Sequence, residues 1–261
     1  MSDIRVFDGM TVDDLPLADL ISGGLDLGTQ QDYSALVLAE YHPRYLIARA
    51  IAELEESDEV LLPEYRVRVL PRWPLGSTST QIAKSIRRIV RSPGLRGKDF
   101  TLAVDTTGPG EGVRDTFERF GVFGRHVIIT GGLNEKVVEG RDRRVRWHVA
   151  KELLLSPLRA MSEPDNKRLH ILDSTDEART LIDELKSFKP SASMRNVKTE
   201  EDLLWRETAH DDLVLACALA IWNIRRVPQG DIDENLVSGG PPGMFEPLSD
   251  DELFKPLDSF F

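Results

Sequence analysis

The sequence predicts an α/β protein with a mixed central β-sheet flanked by helices. Three apolar segments at 21–27, 34–40 and 45–52 are joined by short polar turns, which indicates a meander of strands. Further along the chain, short apolar runs alternate with segments of helical period. A strand meander followed by alternating strands and helices is typical of a mixed sheet with helices packed on it.

The elements after the meander follow from local patterns. Residues 65–70 alternate between polar and apolar side chains, which predicts a strand. Residues 78–91 carry isoleucines at helical spacing after serines and threonines that suit a helix start. The remaining predicted elements are strands at 100–104, 126–130 and 169–172, and helices at 113–120, 147–161, 175–188 and 211–227.

The acidic charge of the chain is concentrated at its two ends. The protein has 261 residues and a formal net charge of −11. Residues 1–20 carry five aspartates and one arginine, and residues 231–261 carry eight acids and one lysine. We therefore expect an acidic N-terminal arm at 1–20, one domain at 21–227, and an acidic, flexible C-terminal tail at 228–261.

The composition predicts a cytoplasmic protein without a membrane partner. Cys217 is the single cysteine, so an internal disulfide is excluded and a reducing compartment is favoured. No apolar run approaches the roughly 18 residues of a membrane span, and the first residues lack the layout of a secretory signal.

Three acidic signatures stand where a predicted strand ends or a predicted helix begins. Asp26 lies in Gly-Leu-Asp-Leu-Gly, Asp105 in Ala-Val-Asp-Thr-Thr-Gly, and Asp211 and Asp212 in His-Asp-Asp-Leu-Val. Ligands of open α/β sheets bind at the carboxyl ends of strands. Asp26, Asp105 and Asp212 are therefore the candidate catalytic and metal-binding residues, with Asp211 as a cap or outer partner. The alternative is a structural role for each aspartate, since aspartates commonly cap turns and helix N-termini.

Converging carboxylates favour a hard divalent cation. Two unit charges about 4 Å apart repel by about 4 kcal/mol at an effective dielectric of roughly 20, so either one acid takes a proton or a cation lies between them. The sequence has no Cys/His cluster at zinc spacing. This donor set predicts Mg²⁺ or Mn²⁺ as the cofactor, as two ions of the kind that cleave phosphodiesters.

Basic residues near these acids are candidates for contact with DNA phosphates. Arg144, Arg146 and Lys151 belong to a basic stretch that we assign to the predicted 147–161 helix and the loop before it. His210 precedes the acidic pair and is the fourth candidate. Solvated surface charge is the alternative explanation for each of them.

The ordered set of motifs resembles the nuclease domain of phage terminase large subunits. The set comprises Gly-Leu-Asp-Leu-Gly, Asp-Tyr-Ser-Ala-Leu, Val-Asp-Thr-Thr-Gly-Pro-Gly, Glu-Leu-Lys-Ser-Phe and His-Asp-Asp-Leu-Val-Leu-Ala-Cys-Ala-Leu-Ala, within residues 21–227. The resemblance implies an RNase H-like fold and a metal-dependent endonuclease that cuts concatemeric viral double-stranded DNA during genome packaging. It also implies that Asp26, Asp105 and Asp212, with Asp211, hold the metal.

Two departures from that family affect what the resemblance implies. The sequence lacks the Gly-x-x-x-x-Gly-Lys-Ser/Thr loop of the packaging ATPase, so a separate ATPase, a small terminase or a portal component is the expected partner. Members often carry another acid one turn after His-Asp-Asp, where this chain has Leu215. The number of bound ions is therefore left open.

Two other functions compete with a nuclease. Asp-Leu-Gly-Thr at 26–29 is similar to the phosphate-binding hairpin of actin-like and sugar-kinase ATPases, although a body of about 207 residues is short for two subdomains. The other alternative is a catalytically degenerate nuclease fold that acts as a binding module through its acidic ends.

Overall fold

A computed structural model gives the fold of the protein. It describes residues 5–6, 20–28, 32–42, 64–69, 72–108, 111–140, 143–162, 168–172, 175–187 and 211–227. The predicted strand at 45–52, nearly all of the N-terminal arm and the whole C-terminal tail lie outside the described residues. Within the arm, Arg5–Val6 forms a short strand that pairs with a strand of the main sheet.

The described residues form a nine-stranded mixed sheet. Its strands are β1 (Arg5–Val6), β2 (Leu20–Asp26), β3 (Ala35–His42), β4 (Glu64–Val69), β5 (Asp99–Asp105), β6 (Arg125–Thr130), β7 (Glu135–Glu139), β8 (Val145–Ala150) and β9 (Leu169–Ile171). Their order across the sheet is β1-β9-β4-β3-β2-β5-β6-β8-β7. The core of this order confirms the predicted mixed α/β, RNase H-like fold: an antiparallel β2-β3-β4 meander is extended by β5 and β6, both parallel to β2.

Five described helices cover the two faces of the sheet. They are α1 (Ser79–Val90), α2 (Glu111–Arg119), α3 (Lys151–Met161), α4 (Asp176–Ser187) and α5 (Asp212–Ile224). Helices α3, α4 and α5 share one hydrophobic cluster with the sheet, while α1 and α2 share the other. Apolar side chains at helical spacing explain both contacts, and Thr78 and Gln81 form the capping box that starts α1.

The prediction of one helix over 147–161 is wrong in its first turn. Residues Trp147 to Ala150 belong to β8, which pairs with β6 on one side and β7 on the other, and the helix begins only at Lys151. The segment alternates, with Trp147 and Val149 packed in the core, which is the strand period rather than the helical one. The short strand β7 was not predicted at all, because its side chains are mostly exposed and polar.

Helix α5 lies directly on the backbone of β2. A Cβ atom on Gly24 would stand 2.0 Å from the carbonyl oxygen of Ala216 and 2.4 Å from the amide nitrogen of Ala220. Real Cβ atoms do not approach backbone atoms so closely, so a glycine is required for this contact. The consequence is that α5, and the acids at its start, sit as close to β2 as packing allows.

The far end of α5 is held by buried polar contacts. Asn223 is fully buried and donates from its amide to the hydroxyls of Ser22, at 2.9 Å, and Thr101, at 3.2 Å. Its carbonyl oxygen accepts a hydrogen bond of 2.6 Å from Arg125. Buried polar groups with satisfied partners fix one packing arrangement more strictly than apolar contact does.

The described helices include none with both the length and the hydropathy of a membrane-spanning segment.

Candidate metal centre

Two of the predicted acids stand side by side at the carboxyl edge of the sheet. β2 and β5 are parallel neighbours, with Leu25 opposite Val104, and each strand ends at its aspartate. Gly24 contacts α5 and Ala103 belongs to the cluster on the α5 face. Because side chains alternate along a strand, Asp26 and Asp105 project toward that same face.

The other two acids come from the start of α5. Asp212 is the first residue of the helix and is nearly buried, at 6% exposure. Asp211 occupies the position before it and makes no side-chain capping hydrogen bond. Asp211 therefore holds the N-cap position through its backbone only, and its carboxylate forms an ion pair with Lys151, with Oδ2 and Nζ 3.6 Å apart.

The acids act on one another electrostatically. The pKa of Asp26 is raised well above its ordinary value, first by burial and then by the negative charges of Asp105, Asp212 and Asp211, in that order. Lys151 opposes the shift. Asp26, on the central strand β2, thus lies within the field of the other three predicted carboxylates.

Asp105 is held by the turn that follows it. Its Oδ1 accepts hydrogen bonds from the backbone amide of Thr107, at 2.8 Å, and from the Thr107 hydroxyl, at 2.5 Å. That hydroxyl also accepts from the amide of Ile129, at 2.7 Å, which ties the turn to the end of β6. Burial raises the pKa of Asp105, while these hydrogen bonds and Lys151 lower it. Asp105 thus caps the turn that follows it, and it remains the neighbour of Asp26 at the carboxyl edge of the sheet.

Replacing Thr107 with valine is expected to release Asp105. The substitution keeps the shape of the side chain but removes one donor to Oδ1 and the acceptor for Ile129, so the pKa of Asp105 rises further and stability falls by about 1 kcal/mol. Carboxyl-carbon NMR titration measures the pKa. Thr107→Ser keeps the hydroxyl and is the control. Equal Asp105 pKa values in the two variants would contradict this role for the hydroxyl.

Lys151 is the basic candidate that the fold brings to the acids. It follows the buried end of β8 and begins α3, and its charge lowers the pKa of both Asp26 and Asp105. The other basic candidates lie elsewhere or outside the description. Arg144 forms ion pairs with Asp115 and Glu118 on α2, and His210 is not among the described residues.

Arg146 is also not on the predicted helix. It lies on β8, between Val145 and Trp147, and Trp147 packs edge to face against Trp222 of α5 with ring centroids 5.6 Å apart. Alternation along the strand therefore places Arg146 on the opposite face of the sheet from α5 and the acids. This placement does not favour a direct role for Arg146 beside the four acids.

Sequence reasoning missed two charged residues next to Asp212. The Arg72 Nε atom lies 3.2 Å from Asp212 Oδ2, and the Arg72 guanidinium also bonds Glu184 of α4. Burial raises the pKa of Glu184 to about 7, against the opposing effect of Arg72. A signal was present for Glu184, since it shares the buried face of an amphipathic helix with Leu181. Nothing local marks Arg72.

The residues present fit a hard cation by chemistry. Every candidate ligand is a carboxylate oxygen, the donor that Mg²⁺ and Mn²⁺ prefer. Burial first, and then negative charge that a cation would compensate, raises the pKa of Asp26. In the described part of the chain, no three or more His, Cys, Asp or Glu side chains already stand close enough together to hold an ion. Three of the acids instead engage protein donors: Asp105 binds Thr107, Asp211 faces Lys151, and Asp212 faces Arg72.

Comparisons with known proteins give a distant structural likeness. No protein-family model matches the chain, and no curated protein matches its sequence. A human cytomegalovirus terminase nuclease domain, soaked with Mn and bound to an inhibitor, aligns with a TM-score of 0.44 at 10% identity, over 85% of this chain and 87% of that one. A second structure of that nuclease domain, soaked with Mn, aligns with a TM-score of 0.43 at 10% identity, over 84% and 89%.

Proposed function

We propose that the protein is a metal-dependent DNA endonuclease of terminase type. One observation carries the proposal: carboxylates from β2, β5 and the start of α5 lie toward one edge of the sheet, where burial first and then the charges of the other acids raise the pKa of Asp26. Acids that are costly to keep together are expected where a cation neutralises them. The ordered motifs that carry the resemblance to terminase nucleases support the choice of reaction.

Asp26, Asp105 and Asp212, with Asp211, are the residues that would hold Mg²⁺ or Mn²⁺. Two such ions supply an activated water and stabilise the leaving oxygen in phosphodiester hydrolysis. Asp26 lies on the central strand β2, where the charges of the other three acids act on it, so it is our first candidate to hold an ion. Thr107 keeps Asp105 oriented through its two hydrogen bonds to Oδ1.

Double-stranded DNA, concatemeric and viral, is the proposed substrate. Lys151 supports this choice, since it places a positive charge beside the acids, where a scissile phosphate would have to lie. A separate packaging ATPase, a small terminase or a portal component is the proposed partner. The described residues offer no base-reading element that we recognise, so we expect little sequence preference.

Replacing Asp105 or Asp212 with asparagine is expected to remove cleavage. Asparagine keeps the shape but loses the charge that holds a cation, so nicking of supercoiled plasmid with Mn²⁺ should fall by at least about 100-fold, more than is typical for outer-shell partners. Asp183→Asn is the matched control, because Asp183 is exposed on α4 and forms a local ion pair with Lys186, three residues along the helix. It should nick at the parent rate.

Two results would sink the proposal. One is undiminished nicking by the Asp105 and Asp212 variants, which would point to a contaminating nuclease. The other is a folded parent chain that nicks with neither Mn²⁺ nor Mg²⁺ and is not stabilised by either ion. That outcome would favour the degenerate, partner-binding alternative, whereas thermal stabilisation by ATP would favour the ATPase alternative.

A further inference from the structure

We infer that Arg72 and Glu184 are positioning residues that fix the first turn of α5 and the direction of Asp212. The inference rests on the proposed function for its catalytic consequence, although its structural part does not. We call the two residues the α5 clamp. They come from the segment after β4 and from α4, so the clamp joins three parts of the fold that are distant in sequence.

Glu184 provides a side-chain cap for the start of α5, which Asp211 does not. The first amides of an α-helix have no intrahelical acceptor, and Asp211 makes no side-chain cap. Glu184 Oε2 lies 3.3 Å from the backbone amide of Val214, in the first turn of α5, and accepts its hydrogen bond. A carboxylate at this position also interacts favourably with the positive end of the helix dipole. The α5 start is therefore capped from a neighbouring helix.

Arg72 connects this cap to the acid. Its guanidinium bonds Glu184 through Nη2 and lies 3.2 Å from Asp212 Oδ2 through Nε. The Nε contact with Asp212 is an ion pair and not an aligned hydrogen bond. One guanidinium therefore draws both carboxylates to itself by charge, while its hydrogen bond fixes it against Glu184. Without this positive charge, Asp212 and Glu184 would repel each other, since the charge of Asp212 already raises the pKa of Glu184.

Arg72 is itself held in place. The next residue, Trp73, is buried and donates its amide to the carbonyl of Ser34 at 3.0 Å, a bridge next to the start of β3. The guanidinium also lies 5.6 Å from the centre of the Tyr33 ring. Ala35 pairs with Asp26 across β2 and β3, so the bridge at Ser34 is one residue from the partner of Asp26. The clamp thus sets Asp212 relative to Asp26.

The clamp predicts that Mn²⁺ affinity depends on the shape of the Arg72 side chain as well as on its charge. Arg72→Lys keeps the charge but loses the planar group that engages both carboxylates. We expect its Mn²⁺ affinity, measured by calorimetry, to fall by about 10–100-fold, the range typical of partners that orient a metal ligand. Arg179→Lys is the matched control, because Arg179 forms an exposed pair with Asp176 on α4, and its affinity should not change.

Amide hydrogen exchange at Val214 tests the cap without using metal or activity. Glu184→Ala removes the acceptor and should speed exchange up to about tenfold. Glu184→Gln keeps an oxygen acceptor, should stay closer to the parent rate and is the control; if the alanine variant does not fold, Arg72→Lys gives the readout. Arg72→Lys should also speed exchange, because Glu184 loses its fixed partner.

An Mn²⁺ affinity in Arg72→Lys equal to that of the parent would overturn the role of Arg72 in positioning Asp212. Tighter binding would overturn it too, because Arg72 would then only oppose the cation. Unchanged Val214 exchange in both Glu184→Ala and Arg72→Lys would overturn the cap. A parent chain that neither binds Mn²⁺ nor nicks DNA contradicts the proposed nuclease instead, and the exchange rates alone then decide on the clamp.

Discussion

Asp26→Asn is expected to abolish Mn²⁺-dependent nicking while making the metal-free protein more stable at neutral and higher pH. Asp26 feels the negative charges of Asp105, Asp212 and Asp211 in a buried position, and both causes raise its pKa. Asparagine is close to the same shape and carries no charge. The repulsion therefore disappears together with the ability to hold a cation, and nicking should fall by at least about 100-fold.

The sign of the pH dependence follows from the direction of the shift. The folded protein binds a proton at Asp26 more tightly than the unfolded chain does, so this group makes the metal-free protein less stable as pH rises from the ordinary aspartate pKa through the raised one. Asp105 shifts in the same direction. Asp26→Asn should flatten that decline, with a gain of a few degrees in Tm, since about 1 kcal/mol moves Tm by roughly 2–4 °C in a domain of this size.

Thermal unfolding from pH 5 to pH 9, with and without Mn²⁺, measures both effects. Mn²⁺ should stabilise the parent chain most at high pH and should have little effect on the variant. Asp183→Asn, on an exposed turn of α4, again serves as the control. A variant that nicks DNA at the parent rate, or that is less stable than the parent in the absence of metal at every pH, would contradict the role assigned to Asp26.

Gly24→Ala is expected to be among the most destabilising single substitutions in the described part of the chain. Its Cβ would meet the backbone of α5 at Ala216 and Ala220 at distances of 2.0 and 2.4 Å, and backbone cannot rotate away as a side chain can. The helix must therefore move off β2. Overpacking typically costs about 1–3 kcal/mol, and we expect a loss of unfolding free energy at or above the upper end of that range.

Gly131→Ala is the matched control, because nothing lies within 4 Å of a Cβ built at that position. Urea denaturation compares the two variants, and nicking reports whether the displaced helix still presents Asp212. Equal stability of Gly24→Ala and Gly131→Ala would show that α5 does not lie against β2 as closely as described. Full nicking activity in a destabilised Gly24→Ala chain would instead separate the packing of α5 from the function of its acids.

The sequence predicted the strands that carry the acids because burial and position act locally there. Asp26 and Asp105 each end an apolar run, and parallel strands bring their carboxyl ends to one edge. The prediction failed where the signal was mixed. Residues 147–150 contain both strand-like alternation and the apolar spacing that continues into α3, so the helix was started one turn too early.

The α5 clamp could not be predicted because tertiary contact alone creates it. Arg72 and Glu184 are 112 positions apart, and their partner Asp212 lies 28 positions beyond Glu184. Glu184 carried a weak signal as an acid on the buried face of a helix, whereas Arg72 lies in a short segment without period. Lys151 was predicted as a phosphate contact from local charge, but its position beside Asp211 depends on how β8 delivers α3 to the edge.

The buried hydrogen bonds of Asn223 have a consequence for the opposite end of α5. Asp212 and Asn223 are eleven residues apart, close to three full turns, so they point in nearly the same direction about the axis although roughly 16 Å separates them along it. The hydrogen bonds from Asn223 to Ser22 and Thr101 therefore fix the rotation of α5 about its own axis. If the residue that bonds Ser22 and Thr101 shifted by one position, α5 would rotate by about 100°. The Asp212 carboxylate would then turn away from the ends of β2 and β5. The direction of the Asp212 carboxylate therefore depends on the buried contacts of Asn223 as much as on the contacts at the start of α5.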